Sequence, residues 1–262
     1  MAETPGTANR LNVNPGMVRR VTVAILGVAL LLGTLPVTAQ EASGFQWSVS
    51  PYIWASRTKV DLNFRDESLG GGTVSFSDLL DQLDSAFMVH LEGGNGHWSL
   101  FADITYLETS DAEQRPVFLV KSTAETTVLD TAVAYWPGGV GSSLSVIAGM
   151  RYSGFDNRYR FLLDDREVAH VRDEDDYYDA LVGLRYRFEL GGRWDLLTRA
   201  DVSFGQSEGT WLVQAVFGRT IGKREANRIL LGYQYKVAEF KSGDLTSDFS
   251  YHGPVAGFNF RF

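Results

Sequence analysis

Tyr178-Asp179-Ala180-Leu181-Val182-Gly183-Leu184-Arg185-Tyr186-Arg187-Phe188 decides the fold. In an extended chain, Tyr178, Ala180, Val182, Leu184, Tyr186 and Phe188 share one face, and Asp179, Gly183, Arg185 and Arg187 share the other. A helix would scatter both sets around its surface. The apolar face begins and ends in aromatic rings, while the opposite face carries charge. Its length is enough to cross a bilayer. A strand between lipid on one side and a polar lumen on the other needs that arrangement.

The same period of two recurs along the chain, in stretches beginning at Phe45, Phe87, Trp98, Leu129, Leu144, Trp194, Trp211, Ile229 and Ala256. With the opening segment that makes about ten strands, within a range of eight to twelve. Val60 to Phe64 and Thr73 to Phe76 are the pieces that would raise the count to twelve. A soluble β-sandwich also alternates. Three features set it aside: the long apolar faces, the alternation of short and long connections, and an aromatic residue closing the last strand. No apolar run after Leu35 approaches the ~20 residues of a membrane helix. A membrane crossing by strands demands a closed barrel, because lipid offers no partner to an unpaired edge. The expected fold is an all-β, transmembrane, antiparallel up-and-down barrel.

The connections agree in parity. Gly93 to Gly96, Pro137 to Ser142, Gly191-Gly192 and Gly222 to Asn227 are short and turn-like. Ser56 to Ser85, Ser110 to Ala124, Asp156 to Asp175 and Lys241 to Asp248 are longer and read as loops. Ten strands put all short turns on one side, expected to be periplasmic, and return the last strand there. In the first long loop, Ser77 to Asp84 reads as a short helix. Ser77 is its expected N-cap, Asp78 and Asp81 lie in its first turn, and Leu79, Leu80 and Leu83 form an apolar stripe.

Ahead of the strands, Arg19 and Arg20 precede the apolar run Val21 to Leu35, and Val37-Thr38-Ala39 follows with small residues. This is the order of a secretory signal. The expected division is a signal peptide over 1–39, with Met17 an alternative start, and a barrel over 40–262. Sec-type export to a bacterial outer membrane follows, among outer-membrane lipids and lipopolysaccharide. The chain has no cysteine, which excludes disulfides, thiol catalysis and thiolate metal sites. Its net charge of −8 argues against nucleic acid as a partner.

Tyr251-His252-Gly253-Pro254-Val255-Ala256-Gly257-Phe258-Asn259-Phe260-Arg261-Phe262 resembles the C-terminal strand of Gram-negative outer-membrane proteins. That resemblance implies Phe258, Phe260 and Phe262 as the assembly signal and the barrel-assembly machinery as a transient partner. Pro51-Tyr52-Ile53-Trp54 and Ser75-Phe76-Ser77-Asp78-Leu79-Leu80-Asp81-Gln82-Leu83-Asp84 resemble a family of uncharacterised proteobacterial outer-membrane proteins. It brings no activity with it. The strand count also resembles that of omptin proteases, but their Asp-x-His pair is missing. Met88, Asn95, Val168 and Ser250 stand two positions before the four histidines.

The strand phase aims His90, Glu92, Asp103, Asp130, Arg151, Asp179, Arg185, Arg187, Asp195, Arg199, Asp201, Lys236 and Arg261 into the lumen. Mixed signs fit either a salt-bridged filling or a narrow, charge-lined conduit; filling is the expectation for a barrel of this size. His97 and Ser99 share a strand face, a spacing that resembles outer-membrane lipases and lipid A deacylases, but no third, orienting residue accompanies them. Asp164, Asp165, Glu167, Asp173, Glu174, Asp175 and Asp176 crowd one segment with His170. Asp173, Asp175 and Asp176 are the candidate calcium ligands, although Arg166 and Arg172 interrupt them and no EF-hand spacing is present. A solvated acidic loop is the plainer reading. Gly70-Gly71-Gly72 lacks the lysine of a phosphate loop and reads as a turn. No cofactor is expected. The expected function is a non-enzymatic barrel, structural or a narrow passive channel for small ions and solutes. The alternatives are an enzyme modifying lipid or peptide, and a surface adhesin acting through its loops.

Overall fold

The computed structural model describes residues 44–262 except 66, 118, 164–165 and 223–225, and leaves the side chain of 242 undescribed. The expected signal peptide, its cleavage point, Asp164 and Asp165 lie outside the described residues. In chain order the elements are β1 (Gln46–Trp54), β2 (Arg57–Phe64), β3 (Glu67–Val74), α1 (Phe76–Gln82), β4 (Leu83–Asn95), β5 (Trp98–Gln114), β6 (Leu119–Tyr135), β7 (Leu144–Leu163), β8 (Arg166–Gly191), β9 (Trp194–Gly205), β10 (Gly209–Ile221), β11 (Asn227–Ser242) and β12 (Leu245–Arg261).

Strands β1 and β4 to β12 form a closed antiparallel barrel of ten, with β2 and β3 as two additional strands. At the seam β1 pairs with β12, Ser48 opposite Arg261 and Val49 opposite Phe260. Trp47 and Phe262 extend the ladder by exchanging both backbone hydrogen bonds, each 3.0 Å. Segments 60–64 and 73–76 therefore add no membrane strand. β2 continues the line of β1 along the far half of β12, and β3 folds back on β2.

The outer wall is apolar. Tyr178, Val182, Leu184, Tyr186 and Phe188 on β8, and Val202, Phe204, Trp211, Val213 and Phe217 on β9 and β10, are all exposed. Water would not tolerate so continuous a surface. Ten residue steps from Tyr178 to Phe188, at ~3.3 Å each and a tilt of about 40°, give a belt roughly 25 Å tall, the height of a bilayer's apolar layer. Aromatic rings mark both rims. Trp98 packs on Tyr135 at 4.9 Å and Tyr186 on Phe188 at 4.5 Å at the end with the short turns. Tyr152 packs on Tyr178 at 5.1 Å and Trp211 on Tyr235 at 5.1 Å at the other. The Trp47 ring lies over Gly93, its cross-strand partner, where an added Cβ would come within 2.5 Å of it.

The long connections are mostly strand, which corrects the loop reading. β7 and β8 run 20 and 26 residues, well past the upper rim. Tyr159 still pairs with Val171 and Ser110 with Thr123. Above the belt both faces are wet, so charge appears at either parity and the alternation that marks a strand fades. The backbone ladder holds these segments. Exposed ion pairs such as Arg158–Glu125 at 3.0 Å add about 0–1 kcal/mol each.

Two local readings are also corrected. Helix α1 is capped by Ser75, not Ser77: Ser75 Oγ accepts from the Asp78 backbone N–H, and the Asp78 carboxylate accepts from the Ser75 N–H. Asp78 sits three residues from its cap, so the reciprocal box selects Ser75. Gly70 to Gly72 lie inside β3, where Gly71 crosses so close to Val60 that a Cβ would come within 2.3 Å of its carbonyl oxygen.

The inside-out wall has a direct test. Val182→Arg places a charge within the apolar belt and should cost about 2–4 kcal/mol. Val168→Arg, on the wet extension of the same strand, should stay within about 0.5 kcal/mol. Urea titration of the refolded barrel measures both.

Candidate functional site

With the apolar face outside, every second residue of the ten strands must share a narrow lumen. Its polar contents are organised in layers. At the level of Arg151, four residues from β6, β7 and β9 form one closed network. Arg151 donates from Nε and Nη2 to the two Asp130 oxygens at 2.7 and 2.8 Å, and from Nη2 to Asp201 at 3.0 Å. Arg199 donates to Asp201 at 2.6 Å and Asp130 at 2.8 Å. Two guanidiniums and two carboxylates thus cancel in charge. All four are buried, Arg151 at 1% exposure. Lys236 is buried in the lumen beside them, within electrostatic reach of Asp130 and Asp201.

Nearer the short turns, Trp136 folds in from the β6–β7 connection. Its Nε1–H donates to Ser99 Oγ at 2.9 Å, and Ser99 donates to Glu92 at 2.6 Å. Arg185 grips both Glu92 oxygens at 2.9 and 3.0 Å and lies over the Phe101 and Trp136 rings. His90 bridges to Asp103 at 2.9 Å, and Tyr52 donates to the other Asp103 oxygen at 2.7 Å. On the far side of the Arg151 network, Asp179 accepts from Ser207 N–H at 3.0 Å and Ser207 Oγ at 2.5 Å, holding the β9–β10 turn. Beyond it Phe155 and Tyr177 of β7 and β8 meet Phe240 and Phe249 of β11 and β12 in an aromatic cluster inside the barrel.

The sequence-derived lumen residues therefore take up distinct positions. Asp130, Arg151, Arg199 and Asp201 meet in one network. Glu92 meets Arg185, Asp103 meets His90, and Asp179 serves a turn. Arg187, Asp195 and Arg261 gather at the turn end. Ser99 and His97 do not meet. Ser99 is buried and engaged with Glu92 and Trp136, whereas His97 lies in the exposed β4–β5 turn, its Nδ1 2.8 Å from the Trp136 carbonyl oxygen. Asp173 and Asp175 share one face of β8 and Asp176 lies on the other, accepting from Tyr152 at 2.6 Å. Among the described residues no three His, Asp or Glu side chains are grouped to hold a metal. Phe258 and Phe260 face outward on β12, and Phe262 follows them at the seam.

Sequence reasoning missed Trp136, Arg228, Tyr52 and the aromatic cluster. All but the cluster's outer members lie within reach of the alternation: counting back in twos from Lys236 reaches Arg228, and counting on from Asp130 reaches Trp136.

No protein-family model matches the chain, and no curated protein matches it in sequence. Similar solved structures are bacterial barrels. The outer membrane protease OmpT of Escherichia coli is 8% identical with a TM-score of 0.46, over 85% of this chain and 99% of that one. Ail, the attachment invasion locus protein of Yersinia pestis, is 9% identical at 0.39, over 84% of this chain and all of its own. The translocator domain of the autotransporter NalP from Neisseria meningitidis is 10% identical at 0.36, over 92% of this chain and 98% of that one. These likenesses concern fold alone. The functional reading rests on this chain's own lumen and wall.

Two outcomes follow from the charges. Arg151→Met leaves Arg199 alone against two buried carboxylates, one negative charge in excess, and should destabilise the barrel by about 3–5 kcal/mol. Replacing Arg151, Asp130, Arg199 and Asp201 together by apolar residues should cost less, and urea unfolding ranks the two. On the exposed extension, Arg172 and then Arg158 hydrogen-bond Asp156 and hold its carboxyl at about 2. Because the folded value is depressed below the ordinary ~3.9, this contribution is complete above about pH 4. It disappears as pH falls through 2. Carbon-13 titration of the Asp156 carboxyl should show its midpoint near 2, and a midpoint near 4 would deny the pairing.

Proposed function

We infer that this protein is a bacterial outer-membrane barrel with a sealed, non-catalytic lumen and a structural role. The observation that carries this reading is the buried Arg151–Asp130–Arg199–Asp201 network, whose charges satisfy one another inside the lumen. A conduit for ions leaves charge available to the permeant species; here the two guanidiniums and two carboxylates of the network are engaged with each other. The aromatic cluster beyond it supports the same reading. The short turns face the periplasm, and the long extensions of β5 to β8 rise on the outer side.

Those extensions favour a second reading, surface recognition. The β7–β8 hairpin presents exposed Tyr159, Leu163, Val168 and Val171 together with Arg158, Arg172 and Glu174. Shortening that hairpin to a tight turn above Asp156 would leave the barrel intact. Loss of cell-surface binding would then support recognition, and unchanged binding would refute it.

Single-channel recording in a planar bilayer tests the main reading. The refolded protein should insert without discrete current steps. Reproducible steps from the wild-type barrel would overturn the sealed lumen and turn its charges into selectivity residues.

A further inference from the structure

At the end of the barrel with the short turns, the lumen changes character. Arg187 on β8, Arg228 on β11 and Arg261 on β12 surround one carboxylate, Asp195 on β9. Arg228 hydrogen-bonds Asp195. This contact crosses β10 above Gly218, where a Cβ would strike the Arg228 guanidinium; the glycine is the gap through which the pair meets. Arg187 Nε stands 3.6 Å from the same Asp195 oxygen, too far to donate, and its Nη1 reaches the Gly141 carbonyl only at 3.4 Å. Arg187 Nε is shielded from water and has no hydrogen-bond acceptor. No hydrogen bond from the Arg261 guanidinium is found among the described residues, although it feels Asp195 and Arg228 electrostatically.

The balance is therefore three cations to one anion, in a chain whose net charge is −8. Elsewhere in the lumen each arginine has its carboxylate: Arg185 has Glu92, and Arg151 and Arg199 share Asp130 and Asp201. The three arginines border the outer part of a lumen cavity of about 170 Å³, walled there by Ser48, Gln214 and Asn259 and reaching inward to the Glu92–Arg185 pair, Asp103 and Arg199. That space holds several waters or one small oxyanion.

Arg228 is buried on Asp195, Arg187 is half-buried with Nε lacking an acceptor, and Arg261 is exposed at the rim, so the group has donors to spare for a ligand that brings several acceptors. Arginine forks match phosphoryl oxygens in pairs. A phosphate monoester carries close to two negative charges near pH 7 and three acceptor oxygens, which equals the two uncompensated positive charges. We propose that the turn-end vestibule formed by Arg187, Arg228 and Arg261 binds a phosphoryl dianion. It is either free phosphate or the terminal phosphate of a larger molecule. The site does not depend on whether the barrel conducts, because the sealing network lies deeper.

The test is titration calorimetry on the refolded barrel in a neutral polyoxyethylene detergent at low ionic strength, with inorganic phosphate as the probe and chloride as the control. Wild type should bind phosphate saturably with one site per barrel. Arg187→Gln and Arg261→Gln should each weaken it about tenfold or more, with the heat-modifiable mobility of the folded barrel retained. Glycerol phosphate competing as well as phosphate would mark a soluble ligand; a short-chain phosphatidate competing at least tenfold better would mark a lipid headgroup. If a glutamine variant does not fold, phosphate should still protect Arg261 of the wild type from phenylglyoxal, read by peptide mass. Absence of saturable binding, phosphate affinity unchanged in the variants, or no protection of Arg261 would each overturn the site.

Discussion

Every backbone N–H and C=O inside an apolar layer must find a partner within the protein, and a sheet can meet that demand only by closing on itself. The β1–β12 seam meets it here, and much else is a consequence. Ten strands in a ring set the bore. Antiparallel order puts the four short turns and both closing strand ends at one rim. The period of two then assigns each side chain to lipid or to lumen, and leaves no strand residue between Tyr178 and Phe188 without a side to face.

Closing the ring creates a second demand, because the enclosed space must be occupied. A wholly apolar filling would make both faces of each strand apolar and erase the distinction that fixes register. This chain fills the bore with guanidiniums and carboxylates instead. Such groups are costly out of water unless each charge is matched. Arg151, Asp130, Arg199 and Asp201 satisfy that condition with five hydrogen bonds of 2.6 to 3.0 Å. The contribution of the network to specificity exceeds its contribution to stability: a strand slipped by one residue would place Arg151 in lipid.

The barrel and the inward or outward parity of its strands were legible in the sequence because one physical contrast, lipid against water, repeats every two residues through the belt. Legibility ended where the contrast did. Above Tyr152 and Tyr178 both faces are wet, so Asp156 to Asp175 read as an acidic loop although its backbone continues the ladder. Which lumen charges pair with which was also hidden, since Glu92 and Arg185 lie 93 positions apart and meet only across the bore. The helix cap was misplaced by two residues because both Ser75 and Ser77 are good caps; what decides is the reach of the Asp78 carboxylate, a detail of three-dimensional geometry. Arg228 is hard to read because it is the second residue of β11, beside the turn, where lipid no longer marks the opposite face.

The seam has a consequence for the order of events in assembly. Ser50 and Asn259, bonded at 2.8 Å across it, are 209 positions apart in the chain. Hairpins such as β7–β8 can form from neighbouring residues, but the ring cannot shut until its first and last strands are both available. Loop-closure entropy rises only slowly with length, so the barrier is less the distance than the wait. Contacts of such separation fold slowly. Until β12 arrives, the apolar wall has an exposed edge on β1 and an unfinished surface facing water. The chain must be held back from association throughout that interval, and the last strand is the step that ends its exposure.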